Sequence, residues 1–191
     1  YDRSGAGASH WFVVDANGRE VDFGPSSSAP AATPGVFSTL TQTGTGYQLT
    51  QAGPPEHINE AGNYSYEFDA QGKLLRLTDD GLNVQELTYD AQGYITVVTD
   101  LNSLKTVTYE YDTPGLVARI VRNGGNSISH FGYTAGLLTD YSVTDAQGNV
   151  VTQASLLYDA QNRLSQIIRD NDINSAIAFS YVDFGNGLYF A

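Results

Sequence analysis

The stretch Tyr89-Asp90-Ala91-Gln92-Gly93 decides the reading of this chain, because variants of it return at a nearly constant interval. They are Phe68-Asp69-Ala70-Gln71-Gly72, Tyr111-Asp112-Thr113-Pro114-Gly115, Tyr133-Thr134-Ala135-Gly136, Tyr158-Asp159-Ala160-Gln161-Asn162 and a degenerate Tyr181-Val182-Asp183-Phe184-Gly185. From Phe68 onward the leading aromatics stand 21, 22, 22, 25 and 23 residues apart, a period characteristic of repeat architectures.

Asp-Ala-Gln-Gly predicts a hairpin loop. Asp accepts a local backbone hydrogen bond at the first position of a type I turn, and Gly follows in the left-handed conformation as a bulge. Asn162 stands in for glycine because Asn tolerates that conformation best after Gly. Thr113-Pro114-Gly115 predicts instead a type II turn with Pro and Gly at its centre. Two positions before each leading aromatic lie Tyr66, Leu87, Tyr109, Phe131, Leu156 and Phe179. A period of two sets both side chains on one face, expected to be buried, with Glu67, Thr88, Glu110 and Ser180 on a wet opposite face. After each turn comes Leu74, Ile95, Val117, Leu138 or Leu164, and three positions later Leu77, Val98, Ile120, Tyr141 or Ile167. An odd spacing would flip the face, so a β-bulge is expected in each second strand. The second turn of each unit varies more, from Asp79-Asp80-Gly81 to Asp170-Asn171-Asp172-Ile173-Asn174.

A Tyr-Asp-x-x-Gly-x-Leu unit of this length resembles the YD repeat of bacterial Rhs proteins, of Tc-toxin shell subunits and of animal teneurins. The resemblance covers about Tyr64 to Gly185. Val14 to Phe23 and Tyr47 to Thr50 look like the preamble to the repeat region of Rhs proteins. It implies a long antiparallel sheet spiralling into a hollow shell, often around a toxin or beneath an adhesive surface. Six copies are too few to close such a shell, which makes the chain a fragment or a short, open relative. The family also implies a secreted or cell-envelope location in bacteria, and adjoining domains of a longer polypeptide as partners.

The expected fold is all-β, an antiparallel twisted meander of YD repeats forming an open or partial shell, preceded by capping hairpins. Residues 1–60 hold the hairpins: strands over His10 to Asp15 and Arg19 to Phe23, a small-residue and Pro/Ser-rich surface loop at 24–35, and a pair at Val36 to Leu40 and Tyr47 to Thr50. Pro54-Pro55 stops pairing because Pro lacks a ladder donor. Residues 61–191 form the repeat sheet, and the whole reads as one structural domain. The hairpins are expected to cover one end and Leu188-Tyr189-Phe190 the other.

The 13 Tyr and 20 Gly suit such a fold, and the net charge of −12 argues against nucleic acid and anionic membranes as partners. With no Cys, disulfides and thiol chemistry are excluded; with no Met, the sequence reads as a processed or excised piece. No apolar run is long enough to insert in a membrane.

His10, His57 and His130 lack metal-ligand spacing. Ser, His and Asp are present, but no nucleophile elbow accompanies them. Asp170, Asp172 and Asn174 alternate as calcium ligands do, yet lack the Gly and distal Glu of a calcium loop, and a polar turn accounts for them. Gly124-Gly125 has no following helix or Lys for phosphate. No cofactor is implied. In the leading aromatic column Phe68, Tyr89, Tyr111, Tyr133, Tyr158 and Tyr181 are structural. Trp11, Tyr94, Tyr141 and Tyr189 lie outside it and are the candidates for stacking on a glycan or a protein ligand. The leading reading is a non-enzymatic scaffold; a binding module is second, and a hydrolase with paired carboxylates a distant third.

Overall fold

The structure, a computed structural model, describes residues 10–14, 18, 20–25, 38–51, 64–113, 115–183 and 188–190, with backbone alone for 182, 183 and 188–190. The Pro/Ser-rich loop beyond Pro25, Pro54-Pro55, His57 and Pro114 lie outside the described residues. Two compact units are present, Tyr1–Tyr89 with Val98–Leu104, and Asp90–Val97 with Lys105–Ala191.

In the first unit β1 (His10–Val14) and β2 (Glu20–Pro25) form a hairpin. Strands β3 (Ser38–Gln42), β4 (Gly46–Gln51), β5 (Tyr64–Asp69), β6 (Leu74–Thr78) and β7 (Val84–Tyr89) then lie side by side, antiparallel and in chain order. β4 pairs along its whole length with β5, so β3 and β4 are the first strands of this meander. Strand β8 (Ile95–Asp100) has residues in both units.

The second unit repeats the pattern with β9 (Lys105–Tyr111), β10 (Val117–Arg122), β11 (Ser127–Thr134), β12 (Leu137–Asp145), β13 (Val150–Tyr158), β14 (Leu164–Arg169) and β15 (Asp172–Ala178). β16 (Tyr181–Asp183) and β17 (Leu188–Phe190) pair with each other in a small sheet of their own, not along the meander. The fold is a long antiparallel β-meander, with no α-helix among the described residues.

The turn chemistry repeats atom for atom. Gly72 N donates to Asp69 O, Gly93 N to Asp90 O and Asn162 N to Asp159 O, at 3.0 to 3.1 Å. The Asp Oδ1 then accepts from the backbone N–H four residues on, at Lys73, Tyr94 and Arg163. Gly72, Gly93 and Asn162 hold φ of 83°, 92° and 60°, the left-handed bulge that Gly and Asn accept at least cost. The turn at Asp112 corrects the type II expectation. Gly115 N donates to Asp112 O and Leu116 N to Asp112 Oδ1, so the aspartate sets the same turn as in the other copies. Asp145 builds it again, with Gly148, in a second-turn position.

The bulges fall where the odd spacing requires them. Phe68 pairs with Leu74 but Glu67 with Arg76; Tyr111 pairs with Val117 but Glu110 with Arg119; Tyr133 pairs with Leu138 but Gly132 with Asp140; Tyr158 pairs with Leu164 but Leu157 with Gln166. One extra residue per second strand brings Leu77, Ile120, Tyr141 and Ile167 back opposite Tyr66, Tyr109, Phe131 and Leu156.

The core departs from expectation. Most side chains of the aromatic face, expected to be buried throughout, are half-buried, because a sheet face is buried only where another element packs on it. Phe23, Leu40 and Leu49 alone among the described hydrophobics are fully buried, where the β1–β2 hairpin brings Trp11, Val13 and Val21 against Tyr47, Tyr66 and Phe68. Each such burial contributes about 1.5–3 kcal/mol.

Candidate functional site

The column of leading aromatics is knitted to the strands by its hydroxyls. Tyr89 Oη donates to the Leu74 carbonyl at 2.6 Å, Tyr111 to Ile95 at 2.8 Å, Tyr133 to Val117 at 3.0 Å, Tyr158 to Leu138 at 2.8 Å and Tyr181 to Leu164 at 2.7 Å. Each acceptor lies at the first or second residue of the second strand of the preceding repeat. The ladder to the next strand stops short of it: β6–β7 pairing ends at Arg76↔Glu86, β10–β11 at Arg119↔His130, and β12–β13 at Asp140↔Ser155. The hydroxyl thus satisfies a carbonyl that the ladder leaves over.

Phe68 begins the series without a hydroxyl, and β4, which precedes it, pairs with β5 in unbroken register and offers no bulge. The alternation of one Phe followed by Tyr in every later copy was the sequence signal for these bonds. Burial pushes the Tyr89, Tyr111 and Tyr133 hydroxyls above the ordinary tyrosine range, with Asp69, Asp90 and Asp112 adding to it. The ring is covered from the same side. Lys73 Nζ lies 5.2 Å from the Tyr89 ring centre, the Tyr94 ring stacks on Tyr111 at 4.9 Å, and the Arg163 guanidinium lies 4.6 Å over Tyr181. At these three turns the residue after the glycine or Asn162 thus covers the next tyrosine.

Tyr94 is consequently part of this stack, with its hydroxyl over Gly115; a Cβ on Gly115 would lie 2.3 Å from it. Trp11 packs on Tyr47 with ring centres 5.0 Å apart, and both line a groove of 490 Å³ with Phe68 and Gln71. Tyr141 tilts against Phe131 at 5.3 Å. The Tyr189 side chain lies outside the described residues. Trp11 in the first unit, and Tyr94 and Tyr141 in the second, are thus each packed on another ring.

The alternating oxygens at 170–174 do not converge as a cation loop. Asp170 and Asn171 are the left-handed centre of a two-residue hairpin, Asp170 Oδ1 accepts from Gln153 N, and Asp172 Oδ1 accepts from Asn174. Among the described residues no three His, Cys, Asp or Glu side chains are placed to hold a metal ion. His10 Nδ1 pairs with Asp22 at 2.9 Å. Asp22 also accepts from Gly24 N at 2.7 Å, and this backbone bond, then His10, lowers its pKa.

On the polar face of the second unit, His130, Asp140 and Ser142 line one groove of 410 Å³. They are not arranged as a triad, since His130 Nε2 meets Thr144 Oγ1 at 3.3 Å and makes no bond to Ser142 or Asp140. Elsewhere in the second unit Arg119 pairs with Glu110 at 2.7 Å, and within the first unit Arg76 pairs with Glu86.

Residues 46–187 match the model of the Teneurin YD-shell family. Over 82 residues the chain is 32% identical to double-stranded DNA deaminase toxin A of Burkholderia cenocepacia (strain H111), a match covering 41% of this chain and 6% of the toxin. Among solved structures it resembles TcdB2-TccC3 without its hypervariable C-terminal region (TM-score 0.55, 19% identity, 74% of this chain and 8% of that one). It also resembles TcdB2-TccC3-Cdc42 (0.56, 16%, 91% and 12%) and a Photorhabdus luminescens Tc holotoxin pore (0.52, 16%, 91% and 12%). At these identities the likeness to the solved structures is one of fold. The chain spans 12% or less of each of these relatives.

Proposed function

The chain belongs to the teneurin YD-shell family, and from that premise we propose that it works as a section of shell wall, a non-enzymatic scaffold within a longer polypeptide. The observation that carries this reading is the unbroken series of five tyrosine-to-carbonyl bonds, in which every repeat is fastened to the one before it. Such a device propagates a sheet of any length.

The adjoining domains of that polypeptide are its partners, and its location is secreted or cell-envelope, as befits a shell module carried by a toxin-like chain. Nucleic acid is no partner, since a charge of −12 repels phosphate. No α-helix among the described residues is long and apolar enough to cross a membrane. The off-column aromatics support glycan binding less well than wall-building, because Trp11, Tyr94 and Tyr141 are each packed on another ring.

The test is limited proteolysis of the longer polypeptide, intact and with residues 105–183 deleted. A wall section predicts that the intact form resists cleavage while the deletion exposes the adjoining domains. Equal resistance of the two forms contradicts the reading.

A further inference from the structure

On the polar face the residue before the leading aromatic and its partner differ from copy to copy: the fifth repeat has Leu157 opposite Gln166, and three others carry charge. At the residue before the leading aromatic and its partner across the bulge, the first repeat has Glu67 opposite Arg76 and the third has Glu110 opposite Arg119. In both, the arginine is held by a carboxylate, Glu86 for Arg76 and Glu110 for Arg119. The fourth repeat has Gly132 opposite Asp140 at those positions. The arginine has become an acid, and the acid has become a hydrogen atom.

Two consequences follow from that reversal. Asp140 is left without an ion-pair or hydrogen-bond partner among the described residues, and so are the side-chain amides of Gln153 and Asn171 and the hydroxyls of Ser142 and Ser155. The missing side chain at Gly132 opens the 410 Å³ groove that these groups line, within the size range of about 300–1,000 Å³ typical of small-ligand sites. No Lys or Arg lines it; His130, which does, meets Thr144 Oγ1 at 3.3 Å, and Arg119 across from His130 is bound to Glu110.

We propose that this groove over Gly132 is a binding site for an organic cation, a guanidinium or primary ammonium group, with Asp140 as its counter-ion. A guanidinium brings five N–H donors in a rigid fork, and the groove offers one carboxylate with amide and hydroxyl oxygens around it. The cation takes the place that arginine holds in the first and third repeats, but comes from outside the chain. A hard divalent ion is poorly served, because one carboxylate and neutral oxygens supply too little charge. Asp140 is exposed, so the attraction is moderate and screened by salt. Two sources present this chemistry, an arginine or lysine side chain of a partner polypeptide and a free polyamine.

The experiment is amide-resolved NMR titration of the full chain with N-acetyl-arginine amide, with spermidine, and with N-acetyl-glutamine amide as the neutral control. The expected result is saturable shifts at Gly132, Asp140 and Gln153 with a cationic probe only, weakening as salt rises. Asp140→Asn should weaken binding by up to about fivefold, the upper end of what an exposed ion pair carries. The double variant Gly132→Glu/Asp140→Arg rebuilds the pair of the third repeat, so it should abolish the shifts while leaving the melting temperature equal or higher. Tighter binding of the arginine derivative assigns the site to a polypeptide partner, and tighter binding of spermidine to a polyamine. Shifts that survive Asp140→Asn, that centre on the turn aspartates, or that fail to saturate with either cation overturn the proposal.

Discussion

Replacing Tyr133 by Phe removes one hydroxyl and leaves the ring in place. In the structure that hydroxyl donates to the Val117 carbonyl at 3.0 Å, and the β10–β11 ladder ends at Arg119↔His130 without supplying Val117 another partner. A typical hydrogen bond contributes about 0.5–1.5 kcal/mol net, and a buried acceptor left unmade costs about 1–3 kcal/mol. Tyr133 is half-buried, so water relieves part of the second cost, and the expected loss is about 1–2 kcal/mol. For a chain of this length that corresponds to a fall in Tm of about 2–8 °C. Urea unfolding followed by circular dichroism reads the change in midpoint, with Tyr94→Phe as the control. Tyr94 has an exposed ring whose hydroxyl meets no backbone acceptor, and its variant should stay within about 0.5 kcal/mol of the parent. Equal midpoints for Tyr133→Phe and the parent, or equal losses for the two variants, would refute the argument that these hydroxyls fasten one repeat to the next.

The uneven core predicts uneven truncation costs: Leu49→Ala, under the β1–β2 hairpin, should lose about 2–5 kcal/mol, and Leu156→Ala, on the half-open face, clearly less, as compared by thermal unfolding of both. Gly115→Ala and Gly148→Ala both place a Cβ at φ near 85°, at about 1–2 kcal/mol each. Only at Gly115 does it also meet Tyr94, so Gly115→Ala should be the worse, and Tyr94→Ala in the same chain should recover part of the difference. Hydrogen bonds hold the turn carboxylates of Asp79 and Asp145, chiefly to the Asn83 and Asn149 side chains, and of Asp159, chiefly to Arg163 N, below the usual carboxylate range. A depressed folded pKa means that their contribution is complete above the unfolded value of about 3.9 and is lost as pH falls through the folded ones. The urea midpoint should therefore hold from pH 7 to about 5 and decline below about 4; a midpoint unchanged down to pH 3 would remove the turns from the account.

The repeating turns and bulges were legible in the sequence because each depends on neighbours within a few residues. Asp69 bonds Lys73 N and Gly72 supplies the left-handed bulge, and an odd spacing from Leu74 to Leu77 admits no other repair within a strand. Thr113-Pro114-Gly115 misleads because proline preference points to one turn while the carboxylate of the preceding Asp112, which accepts from Leu116 N, sets another. The burial of the aromatic face was overstated for a different reason: alternation tells which side chains share a face but not whether another layer covers it. The tyrosine-to-carbonyl bonds link residues 15 to 20 apart in sequence, beyond the reach of a motif, and only the lone Phe68 hinted at them. The groove over Gly132 was invisible to motif reading, since only the strand register sets Asp140 opposite Gly132.

The most direct test of the central claim is an electron cryo-microscopy structure of the longer polypeptide that carries this segment. The account predicts that strands β3 to β15 run within its shell wall, with the hydroxyls of Tyr89, Tyr111, Tyr133 and Tyr158 on the bulge carbonyls of the preceding repeats. A segment found folded apart from the wall, tethered by linkers, would contradict it.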